Sequence, residues 1–156
     1  MKRPIIVCGN PRSGTRTTAN ILNLHPCITI TDEFHAKNLQ FAYDLIGQIK
    51  RTFQNRSYNK KENFNSRAAN IMLNLWIESS GKMRTKAYSS QIIGNKTPGI
   101  ENYYQIYDDI FQEDQPKYIY CLRDAKQVIR SIKSLPNIPG YNQSVERNLQ
   151  RYIESV

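Results

Sequence analysis

Apolar positions recur along the chain in two patterns, short continuous runs and longer stretches with helical spacing. Pro4 to Cys8 is an apolar run closed by Gly9 and reads as a buried strand. Behind it, Gly9-Asn10-Pro11-Arg12-Ser13-Gly14 is a glycine-punctuated turn, and Thr15 to Leu24 sets Thr18, Ala19 and Leu22 on one helical face. His25-Pro26 ends that helix, because a proline holds the residue before it in extended geometry. Cys27 to Thr31 alternates and is rich in β-branched residues, the pattern of a second strand.

Phe34 to Phe53 carries Leu39, Ala42, Tyr43, Ile46 and Ile49 at helical intervals, with Gly47 as its weak point. Gln54 to Asn65 is polar and predicts a solvated loop or mobile flap. A third helix is expected from Arg67 to Ser79, with Ile71, Leu75 and Trp76 turned inward and Gly81 as a left-handed stop. Gln91 to Gly94 reads as a short strand leading into Asn95-Lys96-Thr97-Pro98, and Gly99 to Phe111 as a helix. Lys117 to Leu122 reads as a further buried strand with Arg123-Asp124 as its polar stop. Asp124 can cap a helix from Ala125 to Leu135, whose stripe is Val128, Ile132 and Leu135. Pro136 and Pro139 precede a final amphipathic stretch, Gln143 to Ile153. Strands alternating with helices predict an α/β fold with a parallel sheet covered on both faces.

The chain's 156 residues are enough for one domain, 1–156. Lys and Arg total 22 against 13 Asp and Glu, a formal charge of +9 that points to an anionic partner. No apolar run approaches the roughly 20 residues that cross a bilayer, and the start does not read as a signal peptide, so a cytoplasmic protein with no membrane partner is expected. Cys8, Cys27 and Cys121 form no CxxC pair and read as free thiols. His25 and His35, the only histidines, have no H-E-x-x-H or acidic cluster around them, so no metal is expected. The chain also lacks a reading helix or a basic-aromatic repeat, which argues against nucleic acid.

The strand, loop and helix from Ile5 to Leu24 form an arrangement that binds anions. Free amides and the positive dipole end of the helix converge there. Arg12 adds a charge, and Ser13, Thr15 and Thr17 add hydroxyls. Residues 1 to 31 carry Lys2, Arg3, Arg12 and Arg16 and no acid. The lysine of a nucleoside triphosphatase loop is absent, since Gly14 is followed by Thr15-Arg16, and there is no G-x-G-x-x-G.

Pro11-Arg12-Ser13-Gly14-Thr15 followed by Asn23-Leu24-His25-Pro26 resembles the 5'-phosphosulfate-binding segment of sulfotransferases that use 3'-phosphoadenosine 5'-phosphosulfate. The form is the P-R-S-G-T one of bacterial and protein-tyrosine sulfotransferases. The resemblance implies a three-layer, P-loop-like core with a central parallel sheet flanked by helices. It also implies that Pro11, Arg12, Ser13, Gly14, Thr15, Arg16 and Thr17 surround the donor's phosphosulfate. Arg16 stands where members have Thr or Ser, and either adds a cation to the cradle or turns outward.

Arg123 with Ser131, eight residues on, resembles the family's 3'-phosphate-binding segment. On spacing alone, a local ion pair and helix cap is the lesser alternative for Arg123 and Asp124. Glu33 matches the catalytic base of the tyrosyl branch, while His35 is a competing base and Asp32 with Glu33 also suits a helix start. Lys96, in Asn95-Lys96-Thr97-Pro98, resembles the lysine that acts with Arg12 at the sulfonate or bridging oxygen. His25 is expected to close its helix and pack beneath the site.

The implied reaction moves a sulfonate directly, without metal, to a hydroxyl acceptor, with 3'-phosphoadenosine 5'-phosphate as product. The acceptor is a small molecule, glycan or peptide. Tyr103, Tyr104 and Tyr107 either line an acceptor groove or pack a helix. No segment resembling the family's C-terminal donor cover follows Ser131, so a truncated or minimal chain is expected, or one whose site a second copy completes. The alternative is a weak or inactive binding module for a nucleotide or sulfated ligand.

Overall fold

The computed structural model describes residues 2–54, 62–134 and 144–154. Four strands, β1 (Arg3–Gly9), β2 (Ile28–Thr31), β3 (Ile92–Lys96) and β4 (Lys117–Cys121), form one sheet in the order β2-β3-β1-β4. All three pairings are parallel, with Ile5 opposite Gly94 and Lys117, and Thr31 opposite Asn95. Every strand therefore ends on the same edge, where α/β sheets bind their ligands.

The helices are α1 (Thr15–Leu22), α2 (Ala36–Gln54), α3 (Glu62–Ser79), α4 (Arg84–Ser89), α5 (Tyr104–Ile110), α6 (Ala125–Lys133) and α7 (Val145–Glu154). Successive residues of β1 point to opposite faces of the sheet, and each face has its own cover. Val7 packs with Ala19 and Leu22 of α1 and with Ile30. Ile6 and Cys8 face the larger core, built from Leu39, Ala42 and Ile46 of α2, Met72 and Trp76 of α3, and Tyr107 and Ile110 of α5. This is the expected α/β architecture, a central parallel sheet flanked by helices.

Several boundaries move for physical reasons. Gly47 does not interrupt α2, since tertiary packing of Leu39, Ala42 and Ile46 outweighs its low propensity. Helix α3 begins at Glu62, inside the expected polar loop, because Phe64 is buried against Phe53 with ring centroids 6.1 Å apart. Residues 55–61 of that loop, Leu135, Pro136 and Pro139 lie outside the described residues. Leu75 is exposed rather than inward, because α3 is covered along Met72, Leu73, Trp76 and Ile77 instead. Helix α4, which the apolar pattern does not reveal, follows Gly81, whose φ of 55° is left-handed as expected.

Strand β4 is not buried as expected. Among the described strands it lies at the sheet edge, with Lys117 and Tyr118 exposed. The Asp124 cap forms as its position suggests, its carboxylate accepting from the amide of Gln127 at 3.1 Å. Among the described residues, no helix is long and apolar enough to cross a membrane.

Candidate active site

The loop after β1 is shaped by a close approach. Gly9 has φ 131°, and a Cβ there would lie 2.5 Å from the carbonyl oxygen of Cys121 and 2.9 Å from Ser13 Oγ. Glycine thus lets β1 and β4 stay paired while the chain turns upward. The turn is closed by the Ser13 amide donating to the carbonyl of Asn10 at 3.0 Å. Arg12 sits in the turn with φ 73°, a left-handed conformation that is costly for a residue with a Cβ. Gly14 (φ 104°) then starts α1, with no side-chain cap over its first amides.

Two arginines meet across this loop. Arg123, at the end of β4, donates from Nη1 to the backbone carbonyl of Arg12 at 3.1 Å and from Nε to Gln127 at 3.1 Å. Arg12 Nε donates to Ser131 Oγ on α6 at 3.0 Å. The carbonyl of Arg123 accepts from the hydroxyl of Tyr152 on α7 at 2.7 Å. The two anion segments that the sequence separates by more than a hundred positions therefore form one continuous wall.

Opposite that wall, Lys96 ends β3 rather than following it, and is 2% exposed. Its ammonium donates to Glu33 Oε1 at 2.6 Å, which satisfies a charge that burial would otherwise penalise heavily. Glu33 Oε2 lies 3.9 Å from His35 Nδ1, beyond hydrogen-bonding distance, and the Glu33 side chain is 34% exposed. The Lys96–Glu33 ion pair thus faces the loop, with Oε2 making no hydrogen bond among the described residues.

The segment carrying Glu33 is held by buried polar side chains that sequence reading passed over. Asn95 donates to the carbonyl of Asp32 at 2.6 Å, and the Thr97 hydroxyl donates to Asn95 Oδ1 at 2.6 Å while accepting from the Phe34 amide at 3.0 Å. Asn95 and Thr97 are both under 5% exposed. Their signal was present in Asn95-Lys96-Thr97-Pro98, where two amide- or hydroxyl-bearing residues flank the lysine. Only the register of β3 beside β2 shows what they hold.

These elements enclose a cavity of about 380 Å³ lined by Pro11, Arg12, Gly14, Thr15, Arg16, Thr17, Asn20, Glu33, Lys96, Pro98 and Arg123. Most of the sequence-predicted residues line it. Ser13 lies beneath the loop with its Oγ buried and without a hydrogen-bond partner among the described residues, and Ser131 stands behind Arg12. Asn20, one helical turn after Arg16, was not anticipated. His25 is not beneath the site: it precedes β2, at the sheet's other edge, is exposed, and its Nδ1 accepts from the Cys27 amide at 3.2 Å. Of the three tyrosines, Tyr107 is fully buried in the core, Tyr103 packs against it and Tyr104 is exposed.

Chemically, four cations and one carboxylate surround uncapped helix-start amides, an arrangement able to hold a polyanion next to a carboxylate able to accept a proton. Among the described residues, no group of three or more His, Cys, Asp or Glu side chains is placed to hold a metal ion. No curated protein matches the chain. The family model for the sulfotransferase family matches residues 4–156.

Proposed function

The chain belongs to the sulfotransferase family, and on that premise we propose that it transfers a sulfonate group from 3'-phosphoadenosine 5'-phosphosulfate to a hydroxyl acceptor by direct in-line displacement. The observation that carries this reading is the facing arrangement of the Arg12–Arg123 wall and the Glu33–Lys96 pair across one polar cavity. The donor fits the residues present. The start of α1 offers uncapped amides, Ser13 Oγ is a buried polar atom without a partner among the described residues, and the lining is strongly cationic.

In this reading the loop Pro11–Thr15, with Arg12 and Thr17, acts as a P-loop-like cradle for the 5'-phosphosulfate. Arg123 and Ser131 hold the 3'-phosphate. When bound, the donor supplies an activated sulfonate: its sulfur bonds to the acceptor oxygen as the bond to the bridging 5'-phosphate oxygen breaks, releasing adenosine 3',5'-bisphosphate. Glu33 takes the hydroxyl proton at Oε2. Lys96 and Arg12 stabilise the negative charge that grows on the bridging oxygen, and they do so without reorganisation because both are already held in place. Asn95 and Thr97 position Glu33 through the backbone of Asp32 and Phe34.

Calorimetry of the full chain tests the donor reading, with adenosine 3',5'-bisphosphate expected to bind more tightly than AMP. Equal affinities would overturn it. Labelled donor offered with an acceptor panel tests transfer, and bisphosphate binding without any transferred label would leave a nucleotide-binding module in place of an enzyme.

A further inference from the structure

A second cavity, of about 330 Å³, opens beside the first and shares Arg16, Asn20 and Lys96 with it as a common wall. Its remaining lining comes from the end of β2 and the turn between α3 and α4, including Asp32, Ser79, Ser80 and Lys82. Three charged side chains in it are unspent. Arg16, Lys82 and the Asp32 carboxylate make no hydrogen bond or ion pair among the described residues, with each other or with any neighbour. Lys96, by contrast, is already neutralised by Glu33.

We infer that this second cavity is the acceptor site, and that Arg16 and Lys82 select a small polyhydroxylated acceptor carrying its own anionic group, of the sugar-acid type. Two cations and one carboxylate on the lining leave an excess positive charge for a ligand anion, and Asp32 is suited to ligand hydroxyl groups, while the Ser79 and Ser80 hydroxyls, which donate to the carbonyls of Trp76 and Ile77, are left as acceptors. The volume is at the low end for ligand cavities, which favours a compact acceptor. Glu33 lines the first cavity alone, so the acceptor hydroxyl reaches it across the shared wall at Lys96. The assignment also gives Arg16 a role at the boundary between the two ligands, where a neutral Thr or Ser would supply no charge. It rests on the donor reading of the neighbouring cavity.

The test is calorimetry of the full chain with glucuronate and with glucose, each in the presence and absence of adenosine 3',5'-bisphosphate. Glucuronate is expected to bind about tenfold more tightly than glucose, as two charge contacts at a partly exposed site would give. Lys82→Gln should remove about half of that logarithmic preference and leave bisphosphate affinity unchanged. Equal affinity for the two sugars, no saturable glucuronate binding, or a preference that Lys82→Gln leaves intact would overturn the inference. So would competition between glucuronate and bisphosphate, which would put the sugar acid in the donor cavity. Failure of bisphosphate to bind, with the Lys82-dependent sugar preference retained, would instead count against the donor reading alone.

Discussion

Glu33 is the hydrogen-bonding partner of Lys96, an ammonium that is almost wholly removed from water, at 2.6 Å. In the proposed reaction the carboxylate has two coupled tasks, balancing a buried cation and accepting a proton at Oε2. Glu33→Gln keeps an acceptor oxygen for Lys96 but removes the base. It is expected to be destabilised, because the buried ammonium keeps an acceptor but loses its balancing charge, and to lose transfer by about a hundredfold or more. Glu33→Ala should show the same loss of transfer and a further destabilisation of about 1–3 kcal/mol beyond that of Glu33→Gln, because the ammonium loses its acceptor as well as its balancing charge. Urea unfolding and single-turnover transfer separate the two, and a Glu33→Gln variant with wild-type turnover would remove Glu33 from the chemistry.

Arg123 binds the Arg12 carbonyl and should also bind the donor's 3'-phosphate. Arg123→Ala is expected to weaken adenosine 3',5'-bisphosphate by about tenfold to a hundredfold, as the loss of a charge-assisted contact would. AMP, which lacks that phosphate, should lose much less. Parallel titrations of the variant check this, and an equal loss for both ligands would mean that Arg123 only supports the loop.

Gly9→Ala should be among the most damaging small substitutions in the chain. The new methyl would collide with backbone at Cys121 and would force alanine into φ 131°. Destabilisation of about 3 kcal/mol or more is expected from strain and overpacking together. Gly14→Ala meets open space and carries only the conformational cost, about 1–2 kcal/mol. Chemical denaturation of both variants measures the difference, and similar losses would show that the close approach of β1 and β4 is not limiting.

The phenols of Tyr107 and Tyr118 make stability sensitive to alkali. Burial pushes Tyr107 above the ordinary tyrosine range, and partial desolvation of the phenol, followed by its hydrogen bond to Asp108, raises Tyr118, whose side chain is otherwise exposed. Raised folded-state values mean that the unfolded chain releases these protons first. Stability should be fully present below about pH 10 and should fall as the pH rises beyond it. Tyr107→Phe removes one of the two groups and also a buried hydroxyl with no partner among the described residues, so it should be neutral or stabilising at pH 7 and should flatten the alkaline decline. Unfolding curves from pH 7 to 11 check both statements.

Much of the site was legible because its parts are local. A strand stop at Gly9, a loop with Arg12 and a helix from Thr15 lie within a few residues of one another, and their pattern carries its own geometry. The pairing of Lys96 with Glu33 was not legible in the same way. Both residues could be named, but an ion pair between positions sixty-three apart depends on β2 lying beside β3. Asn95 and Thr97 were missed for the same reason, since their partners belong to the neighbouring segment. The exposure of Leu75 and of the β4 edge shows the limit of periodicity, which finds an apolar stripe without finding what covers it.

By itself, the order of residues determined the alternation of strands and helices, the cationic, hydroxyl-rich character of the first loop and the residue types available for chemistry. These follow from hydrophobic periods, glycine and proline backbone limits and side-chain charge, all of which act over one or two turns of chain. Tertiary structure alone decided that Arg12 and Arg123 form one wall, that Lys96 is buried against Glu33, and that Arg16 stands between two cavities. Those relationships depend on strand order and register, and a parallel sheet brings the ends of distant strands to one edge only after the intervening helices have packed on its faces.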